Sequence, residues 1–572
     1  METKNCQNCK KDFTVEEDDF SFYEKMKVPP PTFCPECRMI RRFHFRNESL
    51  LFRRKDGHSG KEIFSGYSPE SSVVTYENSF WYGDAWDPLE SGFDYDFSQT
   101  FFKQFSDLLA VAPIPARSVF NMVNSDYCNE ASESKNCYLC FNTDYIEDSA
   151  YLRKVRQIKS SFDLYECSES TVCYQSVTVD KSYRVFYSIE CDGCVDVWFS
   201  KNLRNCTNCF GCINLVNKTN CIFNVQYSKE EYLEKIKSFN LSSYKSVSEI
   251  KEKAYQFFLS FPVRHNQSLK IVNATGDKLY NSKNLKDCFY VKNAENLAYC
   301  QDIWDKTSSC YDYSVWGDGA ENIYESMTCG IGISNLKFCF NCWDGARDME
   351  YCGYCVGSSD CFGCVGLYKK RYCIFNKQYS KEEYFKLVEQ VKLHMDETPY
   401  VDSSGRTYKY GEFFPFELAP YTYNESLAQT FFPVRKEEVE SKGYFWRDPN
   451  IREFPKTILS KNLPDDITDL SIEFLKEVIE CELCKRAFRI IESEFQFYQA
   501  NKIPVPRRCS DCRFVDLFKF VNPPKFYSRQ CVCGKENHNN HKEKCEVEFE
   551  TSYAPDRPEI VYCEKCYQQE VY

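Results

Sequence analysis

Along the middle of the chain, apolar positions come in short bursts instead of long stripes. Pieces such as "YRVFYSI" and "CYDYSVW" are aromatic and β-prone, and polar or small residues soon interrupt them. In residues 266–435 an Asn or Asp precedes an aliphatic residue, with Cys or Ser three further on. This unit recurs almost every thirteen residues, at Asn284, Asn296, Asn322, Asn335 and Asp348. A looser version runs through 118–265, as at Asn202-Leu203 with Cys206. Asn tolerates left-handed corners and Cys is small enough to stack in a narrow interior. The pattern predicts a mainly β fold built on a β-solenoid or a similar stacked-strand array. Helical spacing follows each array in "KEEYLEKIKSF" and "KEEYFKLVEQV". Both open on a capping box, Ser228 to Glu231 and Ser380 to Glu383, and both are expected to cover an array's open end.

The array is duplicated. "CFGCINLVNKTNCIFNVQYSKEEY" from Cys209 matches "CFGCVGLYKKRYCIFNKQYSKEEY" from Cys361 at 17 of 24 positions, an offset of 152 residues. A second duplication joins the chain's two ends. "CQNCKKDFTVEEDDFSFYEKMKVPPPTFCPECR" from Cys6 and "CELCKRAFRIIESEFQFYQANKIPVPRRCSDCR" from Cys481 align without a gap, 14 of 33 positions being identical. Each reads C-x2-C, 24 residues, then C-x2-C-R. Two such pairs supply the four tetrahedral ligands of one zinc ion, here Cys6, Cys9, Cys34 and Cys37, then Cys481, Cys484, Cys509 and Cys512. A knuckle, a hairpin and a ligand-bearing helix describe a treble-clef-like or ribbon-like module. The shared aromatics Phe22/Phe497 and Tyr23/Tyr498 are expected to form its small core. The C-terminus carries a third candidate site of Cys545, Cys563 and Cys566. Its fourth ligand is taken as Cys533, with Cys531 and His541 as alternatives.

Composition narrows the function classes. Thirty-five cysteines stand in a chain with no 18-residue apolar run and no apolar signal core near Met1. Metal ligands or reduced core thiols are therefore expected in preference to disulfides, along with a cytoplasmic location and no membrane partner. The central C-x2-C pairs, such as Cys191/Cys194 and Cys352/Cys355, admit interior thiols or extra metal between rungs, and the former is favoured. A net charge of −12 argues against a broad nucleic-acid surface. A local basic cluster of Arg38, Arg41, Arg42, Arg46, Arg53 and Arg54 leaves a phosphate-binding role open. No Gly-rich phosphate loop or Ser/His/Asp signature occurs, so no catalytic residue is nominated.

These end modules resemble the probable zinc-ribbon family of small bacterial proteins, which shows C-x2-C, a following Phe, an "FY" and "P.P..C..CR". The order of N-terminal ribbon, cysteine-rich repeats, "YSKEEY" helices and terminal "TSYAPDRPEIVYCEKCY" is similar to long zinc-ribbon proteins of uncultivated small-genome bacteria. That resemblance implies zinc at the matched cysteines, about three structural sites in all, and implies no reaction. The expected organisation is a zinc module (1–58), an acidic aromatic connector (59–117) and two β-repeat halves with capping helices (118–265 and 266–435). A linker (436–475), a second zinc module (476–522) and a C-terminal ribbon-like module (523–572) follow. The expected function is a zinc-binding scaffold whose β-array meets a protein or polymer partner, with nucleic-acid binding through the zinc ends as the alternative.

Overall fold

A computed structural model describes residues 1–449, 452–536, 538 and 541–571. The chain forms two compact units. One comprises Met1–Arg117, Asn266–Asp448 and Pro523–Lys525; the other comprises Ser118–His265, Pro449–Asn522 and Phe526–Tyr572. Each unit thus joins one β-solenoid to the four-cysteine module from the far end of the chain. The N-terminal module belongs with the second solenoid, and the module at Cys481 with the first.

In the first solenoid, parallel strands pair in steps of twelve residues, as in Val185 with Val197 and Val197 with Cys209. From Glu130 to Glu190 every third residue has φ between +45° and +61°. Four left-handed corners per coil make a narrow, four-sided tube with three residues to a side. This answers why C-x2-C pairs converge here: a strand would send i and i+3 to opposite faces, but a corner falls between them. Asn and Asp occupy many of the corners because a left-handed conformation costs them least.

The residue after each corner points inward. Its environment is dry, yet the tight corner turns backbone amides and carbonyls toward the axis, and these must be paired. Interior serines pair them. Ser188 Oγ donates to the Phe186 carbonyl and accepts the Ser200 amide (3.0 Å), and Ser200 repeats the pattern with Trp198 and Cys212. Interior cysteines do the same work. Cys364 Sγ donates to the Phe362 carbonyl at 3.5 Å and accepts the Asn376 amide at 3.5 Å. The interior is accordingly Cys, Ser, Val, Leu and Ile, with aromatics almost absent.

The second solenoid follows the same plan with four coils lengthened to thirteen residues, as in Thr307 opposite Ala294 and Arg347 opposite Ser334. The extra residue sits at one corner, where two successive left-handed residues occur: Asp305-Lys306, Asp318-Gly319, Ile331-Gly332 and Asp344-Gly345. These insertions account for the thirteen-residue step visible in this half alone. They also make the offset between halves drift from 148 (Tyr151 to Tyr299) to 152 (Cys209 to Cys361).

The duplicated "CFGC…CIFN" closes each tube. Gly211 and Gly363 are corner residues at φ +66°, and a Cβ on either would lie 2.7 Å from the ring of Phe223 or Phe375. Asn224 seals the last coil by accepting the Ile213 amide (2.9 Å) and donating to its carbonyl (3.0 Å). Asn376 does the same with Val365. Helices Lys229–Lys237 and Lys381–Glu397 then start at the expected capping boxes and pack on the final coils.

The aromatics lie outside the tubes, in a layer between solenoid and covering segments. In the unit containing Met1, Tyr324, Phe340, Tyr351, Phe362 and Phe375 pack against Phe45, Phe101, Phe102, Phe105 and Phe414. Residues 59–117, expected as a connector, instead supply the buried helix Phe101–Val111 to this layer. The "FSQTFFKQFSDLLAV" stretch reads as acidic and aromatic because it neighbours Asp-rich turns; its apolar face is helical.

Candidate metal centres

The N-terminal module starts with strands Glu2–Asn5 and Asp12–Val15, joined by a knuckle carrying Cys6 and Cys9. Lys10 closes the knuckle at φ +61°, and its equivalent Lys485 adopts φ +62°. Helix Glu17–Met26 follows and ends on left-handed Lys27, matched by helix Glu492–Asn501 and Lys502. This helix was not foreseen, because the first pair was expected to lead through its knuckle into a hairpin. Cys34 is the N-cap of helix Pro35–His44 and Cys37 lies on its first turn; Cys509 and Cys512 repeat this on helix Ser510–Phe518. A helix N-terminus favours thiolate charge at both positions of the pair.

The sulfur atoms of Cys6, Cys9, Cys34 and Cys37 all lie within 4.8 Å of one another, as do those of Cys481, Cys484, Cys509 and Cys512. The Cys9–Cys34 and Cys484–Cys509 edges are both 3.7 Å. A tetrahedron with metal–sulfur bonds of about 2.3 Å has an edge of about 3.8 Å. Donors also surround the sulfurs. The Cys34 amide donates to Cys6 at 3.2 Å, the Cys509 amide to Cys481 at 3.3 Å, and Asn8 Nδ2 to Cys37 at 3.3 Å. Arg486 Nε donates to Cys484 at 3.4 Å; burial raises that thiol, but the Arg486 side chain and amide, with the neighbouring Cys481 and Cys512 thiols, outweigh it and bring it down to about 6. Such N–H···S contacts orient ligands and stabilise their charge.

At the C-terminus, Cys531, Cys545, Cys563 and Cys566 form a third group within the same 4.8 Å limit. The Cys545–Cys563 edge is 3.9 Å and the Cys563 amide donates to Cys531 at 3.3 Å. Here Cys531 stands where Cys533 was expected, and Cys533 belongs to a fourth group with His538, His541 and Cys566. His538 was missed; the crowded "CVCGKENHNNH" offers two thiols and two imidazoles, and spacing alone does not sort them.

The basic cluster after Cys37 has a different fate. Arg38 Nη2 lies 2.9 Å from Asp312 Oδ2, and Arg42 Nη1 lies 3.1 Å from Asp312 Oδ1. Arg41 pairs with Glu325 and Glu412, and Arg46 pairs with Glu48 while donating to Thr328. All four arginines are at most 3% exposed, so their guanidinium groups hold the module to its solenoid and do not face solvent. Arg54 donates to the carbonyls of Ser68 and Val73, and exposed Arg53 pairs with Glu62.

The second copy shows the same anchoring logic. Arg513, the counterpart of Arg38, pairs with Asp163 at 2.8 Å and Glu494 at 2.9 Å. Asp163 and Asp312 are both left-handed corner residues of their solenoids. Arg513 also lies over the ring of Tyr151 and Arg38 over that of Tyr299, positions equivalent under the duplication. The shared "FY" completes the contact: Phe22 stacks on Tyr311 at 3.8 Å, Phe497 packs on Phe162 at 4.8 Å, and Tyr498 meets Tyr174 at 5.4 Å. These aromatics were expected as the module's own core; they are its docking face as well. The arginine in C-x2-C-R is therefore a docking residue, placed by the ligand helix one step beyond the metal.

All twenty-two central cysteines are buried. Among the described residues, the groups of three or more metal-type ligand atoms within 4.8 Å lie in the end modules alone.

No protein-family model and no curated protein matches the chain. Among solved structures it is similar to a "putative acetyltransferase" from Desulfovibrio desulfuricans G20, at 10% identity. The match covers 51% of this chain and 75% of that one at a TM-score of 0.12, too slight to bear on function.

Proposed function

We propose that this chain is a zinc-dependent scaffold in which metal-folded modules clamp two β-solenoids into rigid supports for a protein or polymer partner. The observation that carries this is the closed character of the four-cysteine groups. Each offers four thiols at tetrahedral spacing, satisfied by backbone and side-chain N–H donors, and leaves no position for a water or substrate. That is the chemistry of a structural site. A sulfur-only tetrahedral set selects zinc or iron, and a site whose role is folding has no use for a redox metal.

The scaffold role draws on the same geometry. Each solenoid buries its aromatic side under its own unit, leaving polar sides where identical groups stack coil upon coil. Asn124 to Asn136 to Asp148 is one such ladder, and Asn281 to Asn293 to Asp305 is another. A repeating polar ridge suits an extended partner with its own repeat. Nucleic-acid binding through the arginine cluster is the weaker alternative, since Arg38, Arg41, Arg42 and Arg46 face inward.

Metal analysis of the purified chain, with a pull-down run with and without nuclease, tests the proposal. Zinc at three or more ions per chain and a nuclease-resistant partner support it. Iron in place of zinc, or RNA or DNA as the sole co-purifying species, sinks it.

A further inference from the structure

The third and fourth ligand groups share a sulfur, that of Cys566. We propose that the C-terminal module holds a binuclear zinc cluster in which Cys566 bridges two ions. Cys531, Cys545 and Cys563 complete one coordination sphere, and Cys533, His538 and His541 complete the other. The inference rests on the zinc reading of the four-cysteine groups and adds a second ion to one of them.

Both imidazoles are arranged as ligands. His541 Nε2 lies 3.2 Å from Cys566 Sγ, while its Nδ1 lies 2.7 Å from the Glu543 carbonyl. His538 Nδ1 lies 3.5 Å from Cys533 Sγ, while its Nε2 lies 2.9 Å from Glu570 Oε1. Each ring thus aims one nitrogen into the sulfur cluster and gives the other to an oxygen acceptor. Ligating histidines are typically held this way, because the outer acceptor fixes the tautomer and raises ligand basicity. With metal–sulfur bonds of about 2.3 Å and metal–nitrogen bonds of about 2.0–2.1 Å, a tetrahedral S···N edge is about 3.6 Å. The observed edges are close to it.

Charge favours the second ion. One zinc with four thiolates leaves two net negative charges in a buried cluster. Adding a second zinc with one further thiolate and two neutral imidazoles leaves one. Cys566 can bridge because its sulfur, on the first turn of helix Glu564–Val571, belongs to both groups: that of Cys531, which directly follows strand Tyr527–Gln530, and that of Cys533, His538 and His541. The second ion would tie Cys533, His538 and His541 to the helix.

Metal content of zinc-saturated, gel-filtered full-length protein is the first measurement. The proposal expects four ions per chain, falling to three in His541→Gln and in His538→Gln, with the Cys481 site intact in both. Three ions, unchanged by either substitution, overturn the binuclear cluster and leave the four-cysteine reading standing. Fewer than three overturn that reading as well. Cobalt substitution of the wild-type chain gives an answer independent of how the variants fold. Two cobalt ions sharing a thiolate should couple magnetically, so the paramagnetic signal of the four bound ions should fall short of four isolated ones, whereas His541→Gln, with three ions bound, should give the full signal of three. A signal equal to the sum of isolated ions overturns the bridge.

Discussion

Asp312 offers the sharpest test of how the modules are attached. It is fully buried and faces two guanidinium groups, Arg38 at 2.9 Å and Arg42 at 3.1 Å, both themselves at most 2% exposed. Asp312→Asn preserves shape and removes the charge that both arginines were desolvated to meet. Removing one partner of a buried pair costs about 3–5 kcal/mol, because the remaining charge stays buried without compensation. The upper half of that range is expected here, tempered by the contacts that Arg42 keeps with Gln301 and Ser314 and Arg38 with the Phe33 carbonyl. Six of the seven tryptophans (Trp81, Trp86, Trp304, Trp316, Trp343 and Trp446) belong to this unit, so tryptophan fluorescence during urea unfolding reports mainly on it. With a slope of about 3 kcal/mol per molar urea, the midpoint should fall by about 1.3–1.7 M. Asp163→Asn should cost less, about 1.5–3 kcal/mol, since Arg513 retains Glu494. Replacing Arg38, Arg42 and Asp312 together by Met, Met and Leu should recover most of the loss, because the penalty lies in the uncompensated charge. A shift of about 0.5 kcal/mol or less in Asp312→Asn, the range of an exposed pair, would refute the anchoring argument.

Three further outcomes follow from the same packing. His44 is fully buried among Phe416, Tyr423 and Tyr444, and burial lowers its imidazole to about 3. The unfolded chain then takes up a proton between its ordinary value near 6.5 and the folded value, so stability is full above 6.5 and is lost as pH falls. Between pH 6.5 and 5 that loss is about 2 kcal/mol, read as a urea midpoint with zinc present, and His44→Phe should flatten it; equal slopes would reject the assignment. Ser188→Ala strips the buried Ser200 amide of its acceptor and should cost about 1–3 kcal/mol, whereas Ser188→Cys, which keeps the donor and acceptor roles, should cost much less. Thiol titration of the native chain after mild chelation should modify only the cysteines of the end modules; rapid labelling of the central twenty-two before global unfolding would contradict their place inside the tubes.

Much of this fold is legible because its two repeats are written in residues with few alternatives. The thiols at fixed spacing announce the metal modules, and Asn followed by small interior residues announces a corner. What spacing cannot convey is which distant surface a module covers. Arg38 reads as a cation beside other cations, and its counter-charge, Asp312, lies 274 positions away in a repeat that carries many acids. Comparison of the two copies does carry the signal. Their basic residues differ at most positions, yet the arginine directly after the last cysteine is shared, and a residue kept while its charged neighbours change is held by a specific contact. The same holds for "FY", which is too large an aromatic investment for a core that metal already organises. The thirteen-residue coils are legible as a period but not as an insertion, because Asp-Gly corners look alike whether one or two residues are left-handed.

The exchanged assignment of modules to solenoids turns these local contacts into a property of the whole chain. A module docked on its own sequence neighbour would add stability that any short linker could supply. Docked on the far solenoid, each module closes a loop of more than two hundred residues, and ordering such a loop has an entropic cost that grows only slowly with its length. A handful of buried ion pairs and stacked rings is enough to offset it, provided the module is itself rigid. Metal supplies that rigidity, since about 10–16 kcal/mol of binding energy acts as folding energy in small zinc modules. Loss of metal at Cys481, Cys484, Cys509 and Cys512 should therefore loosen Arg513 from Asp163 and expose the aromatic layer of the first solenoid, far from the metal in sequence. Hydrogen exchange of the zinc-free chain is the direct measure: protection should fall along Phe162–Tyr165 and Tyr174–Asp180 while the sealed coil at Asn224 stays protected. Uniform loss across the tube would show that the module holds the solenoid's fold, and no loss would show that it merely rests on it.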